Sequence, residues 1–192
     1  MMHRWVRRAA AGVVLVAGLA AVLPALAAGF VDDKSGFAVD PPQPFIVAPA
    51  KTQTYDVAVI VNSLTGKPSL GAGDSFLCQV GYKSQPDNTD FAQEEINQQV
   101  EQPAWLDNAA AALSQRFSVT GRATFVLNGA MGIELIALPK DTAHSAGMFI
   151  SMIDTPSGRT TLNCATRPEE LDSAVKQFRL IRSGVTPGAK TP

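Results

Sequence analysis

Arg122-Ala123-Thr124-Phe125-Val126-Leu127-Asn128-Gly129-Ala130-Met131-Gly132-Ile133-Glu134-Leu135-Ile136-Ala137-Leu138 reads as two strands folded back on one turn. Asn-Gly suits the left-handed conformation that both central residues of a type I′ turn adopt, so Arg122–Leu127 and Met131–Leu138 are expected to pair antiparallel. A second hairpin follows, with Ala146–Asp154 and Thr160–Ala165 joined through Thr155-Pro156-Ser157-Gly158. After it comes the clearest helix of the chain. Thr166-x-x-Glu169 has the form of a capping box with Pro168 in the first turn. Leu171, Ala174, Val175, Phe178 and Ile181 then share one face, and Gly184 stands where a helix-ending glycine is expected.

Upstream, Val57-Ala58-Val59-Ile60-Val61 is a β-branched run that reads as a buried strand. Phe76–Tyr82 reads as another, with Phe76, Cys78, Val80 and Tyr82 on one face. Asp87 to Asp90 offer N-caps for a polar surface helix running to Val100, and Asp90-x-x-Gln93 resembles a capping box. Pro103 ends that helix and opens the next, where Leu106, Ala109, Ala110, Leu113 and Phe117 form an apolar stripe. Phe37 and Val39 suggest a short strand. Pro41, Pro42, Pro44 and Pro49 then predict an extended segment outside any sheet. Strands, helices, hairpins and a closing helix in that order define an α+β fold, an antiparallel sheet flanked by helices.

Phe30-Val31-Asp32-Asp33-Lys34-Ser35-Gly36-Phe37-Ala38-Val39-Asp40-Pro41 resembles the opening of PsbP-like proteins, which begin with a polar turn, a Gly-Phe strand and a proline. The closing helix through Phe178, Ile181 and Ser183 is similar to that family's end. The resemblance implies an α/β/α sandwich. The family includes photosystem accessory proteins and Ran-binding nuclear proteins, and many of its exported bacterial members have no assigned activity. Members often carry a tryptophan soon after the first proline. Here the nearest aromatic residue is Phe45.

The first residues carry a different message. Arg4, Arg7 and Arg8 precede an uncharged run from Ala9 to Leu23, which Pro24 breaks before Ala25-Leu26-Ala27. This is the layout of a secretory signal peptide over residues 1–27, with cleavage expected between Ala27 and Ala28. The alternative is an uncleaved anchor, since no charge occurs between Ala9 and Val31. Cleavage leaves 165 residues, with thirteen basic and seventeen acidic side chains for a balance of −4, and lowers the hydrophobic share from 46% to 41%. That composition fits one domain over 28–184 followed by a loose tail at 185–192. It argues against nucleic acid or an anionic membrane surface as partner, and the expected location is the periplasm.

Export gives the two cysteines a compartment in which pairing makes sense. Cys78 and Cys164 each fall on a predicted strand among apolar neighbours, so a disulfide is expected, two buried free thiols being the alternative. No Cys-x-x-Cys occurs, which disfavours redox catalysis.

Other chemistries find little support. His144, the one histidine left after cleavage, lies in the polar stretch Asp141–Ser145, and no Gly-x-Ser-x-Gly elbow accompanies it. His144, Met148 and Met152 would share a helix face and could then bind copper, but the segment reads as a strand, where four residues span roughly 13 Å. Thr65-Gly66-Lys67 lacks the remaining residues of a phosphate loop, and Gly71-Ala72-Gly73 lacks the third glycine of a dinucleotide fingerprint. Glu94-Glu95 and Glu169-Glu170 sit in helix first turns, where acids complement the dipole. Two cysteines and one histidine do not make a structural zinc site. The expectation is therefore an exported, non-catalytic accessory or binding module without a cofactor, its partner a periplasmic protein or small ligand. Its contact region would be the sheet face or the Gly-rich 64–75 loop. A small-ligand carrier, which needs an apolar cavity between sheet and helices, and a hydrolase built around His144 are the alternatives.

Overall fold

The computed structural model describes residues 29–141 and 146–189. In chain order its strands are β1 (Phe30–Val31), β2 (Ala38–Val39), β3 (Phe45–Ala50), β4 (Val57–Ser63), β5 (Cys78–Ser84), β6 (Phe117–Leu127), β7 (Ala130–Pro139), β8 (Gly147–Thr155), β9 (Gly158–Thr166) and β10 (Val185–Thr186). Helices α1 (Gln93–Val100) and α2 (Pro103–Leu113) lie between β5 and β6, and α3 (Leu171–Ser183) lies between β9 and β10. Seven strands form one antiparallel sheet in the order β3-β4-β5-β9-β8-β7-β6, and β1-β2-β10 form a small second sheet.

The hairpin that opened the reading forms as expected. Asn128 and Gly129 have φ of 53° and 82°, and Leu127 faces Ala130 across the turn. β6 nevertheless starts at Phe117, ahead of the expected Arg122. The apolar stripe assigned to α2 therefore stops at Leu113, and Phe117 pairs with Pro139 instead. Phe117 and Val119 alternate with polar residues, a period-2 signal that wins over helical spacing once β7 offers a partner. A register shift between Val119 and Gly121 interrupts this edge strand, a common way of blunting an open edge.

The proline segment also departs from expectation. β3 belongs to the sheet, with Pro49 opposite Val59. It is the outermost strand, where a residue without an N–H is tolerated.

Period-2 alternation splits the sheet into two faces. On one, Val59, Val61, Val80, Leu162 and Phe149 pack against α3, whose buried residues are Leu171, Ala174, Val175, Phe178 and Ile181. These are the five positions the helical spacing selects. The Phe149 and Phe178 rings lie 5.6 Å apart in a tilted contact. On the other face Ile96 and Val100 of α1 meet Ile133, with Trp105, Leu106 and Ala109 of α2 packed alongside. The result is an α/β/α sandwich.

The helix ends use other devices than the expected ones. α3 follows a short 3-10 turn at Pro168–Glu170. The Thr166 hydroxyl donates to the Ser69 carbonyl (2.7 Å) rather than capping the helix. Gly184 has φ −88°, so it is not the left-handed cap anticipated. It is glycine because a Cβ there would collide with the Asp40 carbonyl. α1 starts at Gln93, where the Glu95 carboxylate accepts from the Ala92 N–H (2.8 Å) in place of an Asp90 cap.

The expected loose tail is packed over its first five residues. Val185 pairs with Val39 and is buried beside the main core. The Gly188 carbonyl accepts from the Thr155 hydroxyl (2.5 Å) and the Ser157 hydroxyl (2.7 Å), and the Ala189 N–H donates to the Ser35 carbonyl (3.1 Å). An apolar residue at 185 and two hydroxyls aimed at one carbonyl hold the end down. Residues 190–192 lie outside the described residues, as do 1–28, which include the predicted signal peptide and its Ala27–Ala28 cleavage point.

One core group is unsatisfied. Ser151 is 2% exposed, and its hydroxyl is the one buried side-chain oxygen without a partner among the described residues. Removing such a hydroxyl without changing the packing relieves a desolvation cost. Ser151→Ala is expected to raise the unfolding free energy by about 1 kcal/mol, seen as a higher urea midpoint at unchanged slope.

Candidate functional site

Cys78 and Cys164 are cross-strand partners on β5 and β9, and they form a disulfide with both residues fully buried. This settles the alternative of two free thiols. The bond is flanked by Val61 on β4 and Phe149 on β8, at the centre of the face that α3 covers. It is a structural element, sealed from solvent.

The remaining candidates do not converge. His144 lies outside the described residues, so a hydrolase site there has no geometry to rest on. Met148 and Met152 lie on β8, opposite Ala137 and Ile133 of β7. Among the described residues there is no group of three or more histidine, cysteine or acidic side chains able to hold a metal ion. Glu95 serves the start of α1, as described. Glu170 accepts hydrogen bonds from the Ser69 N–H (3.2 Å) and hydroxyl (2.9 Å), which hold its carboxyl below the usual carboxylate range. That contact and the Leu70–Thr166 bridge tie the Gly-rich loop to the entrance of α3.

A different region has the form of a site. α2 has no fully buried residue and rests on the sheet along a narrow strip. Between it and the strands lies a cleft of about 440 Å³. Trp105, Ala109, Ala112 and Leu113 form its helix wall, and Leu135, Ile150 and Met152 its sheet wall. Three alternate rungs of the β8–β9 ladder, which share one face, build the floor, namely Ile150 opposite Asn163, Met152 opposite Thr161 and Asp154 opposite Arg159. Each rung places one polar β9 side chain beside a β8 neighbour, so an apolar cleft acquires a polar strip along one side.

The strip is held rigidly. Arg159 donates from Nε (2.8 Å) and Nη2 (3.0 Å) to the two oxygens of buried Asp154, a bidentate pair. The Asn163 amide donates to the Tyr55 hydroxyl (3.1 Å), and the Tyr55 ring lies over Gly81 where no side chain could fit. A smaller hollow of about 280 Å³, lined by Phe76, Gln79 and Met148, continues past Asn163 beneath the Gly-rich loop.

Sequence reasoning passed over this strip. Its signal was present, because Arg159, Thr161 and Asn163 alternate with Thr160, Leu162 and Cys164 on a strand in the middle of a sheet. Such a strand, when covered on both sides, is usually apolar on both faces.

A second charge cluster fastens α3 to the opposite face. Glu134 of β7 is 3% exposed and accepts from Arg179 (2.6 and 3.1 Å) and Arg182 (2.6 Å). Burial pushes its carboxyl up, but the Arg179 hydrogen bonds and the charges of Arg182 and Arg179 outweigh that and hold it below its ordinary value. The Arg182 guanidinium also stacks 3.7 Å over the Phe125 ring.

The architecture is that of PsbP-like proteins. The solution structure of cyanobacterial PsbP from Synechocystis sp. PCC 6803 matches with a TM-score of 0.52 at 15% identity, covering 90% of this chain and 98% of that one. At that identity the likeness defines the fold and leaves activity open. A Pseudomonas aeruginosa protein of unknown function matches at a TM-score of 0.40 and 9% identity, over 84% of this chain and 97% of that one, which adds nothing to the assignment. No family model matches the chain, and no curated protein does.

Proposed function

We propose that this chain is an exported periplasmic accessory module that works by binding rather than by turnover. The observation that carries the reading is the cleft between α2 and the sheet, a concave apolar surface with a rigid polar strip along one side. Its two charged residues are committed to each other, Asp154 to Arg159, an arrangement suited to recognition more than to proton transfer. The N-terminal segment and the buried disulfide support folding in an oxidising compartment. Of the alternatives, the small-ligand carrier gains most, since it required an apolar cavity between sheet and helices.

Osmotic-shock fractionation of cells expressing the full chain tests the location. The released protein is expected to begin at Ala28 and to have a mass two hydrogens below the dithiol form. A product that keeps Met1 and stays with membranes contradicts cleavage, and one with two alkylatable thiols contradicts the disulfide. Binding is tested by recovering the protein from that extract with whatever it holds. Ala112→Phe, which fills the cleft from an exposed helix position, is expected to lose the co-purifying species.

A further inference from the structure

Resting on the binding reading, we infer that the α2 cleft takes a small molecule with an apolar body and an uncharged hydrogen-bonding head. The volume, about 440 Å³, lies within the range of about 300–1,000 Å³ typical of small-molecule sites. The body would lie between Trp105 and Leu113 of the helix and Ile150 and Met152 of the sheet. The head would meet Thr161 and its neighbours.

Thr161 is the decisive residue. It is 9% exposed, lines the cleft, and its hydroxyl makes no hydrogen bond to any described residue. Unlike the sealed Ser151 hydroxyl, it opens into the cleft. Because it opens there and no described residue engages it, it is free to hydrogen-bond an occupant of the cleft. On either side of it along the strip, Arg159 has an uncommitted Nη1 and Asn163 an uncommitted Oδ1. Donors and an acceptor thus converge from three adjacent residues of one strand face.

The same geometry decides the charge of the head. Arg159 is the one cation lining the cleft, and Asp154 neutralises it through both carboxylate oxygens. An anionic head would approach that buried carboxylate without a free positive charge to meet it, and a cationic head would have to compete with Arg159 for it. An amide, carbonyl or alcohol can use the Thr161 hydroxyl and the Asn163 oxygen without disturbing the pair.

Octanamide and octanoate test this directly, because they share a body and differ in head charge, and neither absorbs where tryptophan does. The full chain carrying Trp5→Phe leaves Trp105 as the sole indole. Octanamide is expected to give a saturable shift in Trp105 emission, with octanoate at least about tenfold weaker. Thr161→Val, which keeps the shape and removes the hydroxyl, is expected to weaken octanamide about tenfold and to leave octanoate nearly unchanged. Ala112→Phe is expected to abolish both responses. Equal or tighter binding of octanoate overturns the uncharged head while leaving the cleft as the binding site. No response from either compound overturns the small-molecule inference. If Ala112→Phe then still releases a co-purified protein, the binding-module reading stands without it. Binding untouched by Ala112→Phe places the site elsewhere and overturns the inference.

Discussion

Replacing both cysteines by alanine is expected to lower the unfolding free energy by roughly 4–5 kcal/mol. The bond joins residues separated by 86 positions, a loop long enough for its closure to restrict the unfolded chain severely. The native state loses less. Cys78 and Cys164 are already adjacent through the β5–β9 ladder, which runs for seven rungs from Cys78–Cys164 to Ser84–Gly158. The fold is therefore expected to survive with its topology intact, and the effect falls mainly on the denatured ensemble. Two signatures follow in urea: a lower midpoint, and a steeper slope because the uncrosslinked chain exposes more surface. Full burial of the sulfurs adds a kinetic corollary. Under native conditions a thiol reductant is expected to act only after the sheet opens, so thiol release should speed up steeply as denaturant is added. Reduction that is equally fast with and without denaturant would show that the bond is reachable in the folded state, against the geometry described.

The disulfide also shows what kind of information the chain carries in one dimension. Two cysteines on strands among apolar neighbours, in a chain read as exported, suggested pairing, since alternation points such residues inward. The five buried positions of α3 were legible for the same reason: Leu171 to Ile181 follow one helical period against a single partner surface. Readings failed where two periods overlapped or where a distant partner decided the outcome. Phe117 fits a helical stripe and a strand equally well, and only the presence of Pro139 across the ladder selects the strand. Val185 looked like the start of a tail because its partner, Val39, lies 146 residues away. Gly184 looked like a left-handed cap, whereas its reason is the approach of Asp40. The cleft was hidden more deeply. It depends on where α2 sits across the sheet, and no local pattern encodes that placement. Even so, the polar face of β9 was visible as a conflict between position and composition. Such conflicts are where functional surfaces are to be expected.

Glu134→Ala is expected to cost about 3–5 kcal/mol, because it strands Arg182 rather than because the ion pair is strong. The Arg182 side chain is 14% exposed and sits between the Glu134 carboxylate and the Phe125 ring. Without Glu134 a largely buried guanidinium has no counter-charge. Arg179, half exposed, can turn to solvent and is expected to cost far less when replaced. The double substitution Glu134→Leu with Arg182→Leu removes both buried charges and is expected to recover most of the loss, a non-additivity that a double-mutant cycle would read directly. Acid titration provides an independent check. Glu134 is held below its ordinary value of 4.5 by the two arginines, so above that pH both folded and unfolded chains carry the charge and the stabilisation is complete. As pH falls below it the unfolded chain takes up the proton first, and the stabilisation is lost progressively as pH passes through the folded value. Both arginines stay charged throughout this window. Glu134→Gln, which keeps the shape but cannot titrate, is expected to flatten the acid limb of the stability profile. An unchanged acid limb in that variant would assign the loss to other carboxyls, with Asp56, lowered by its hydrogen bond from Lys83, the next to test.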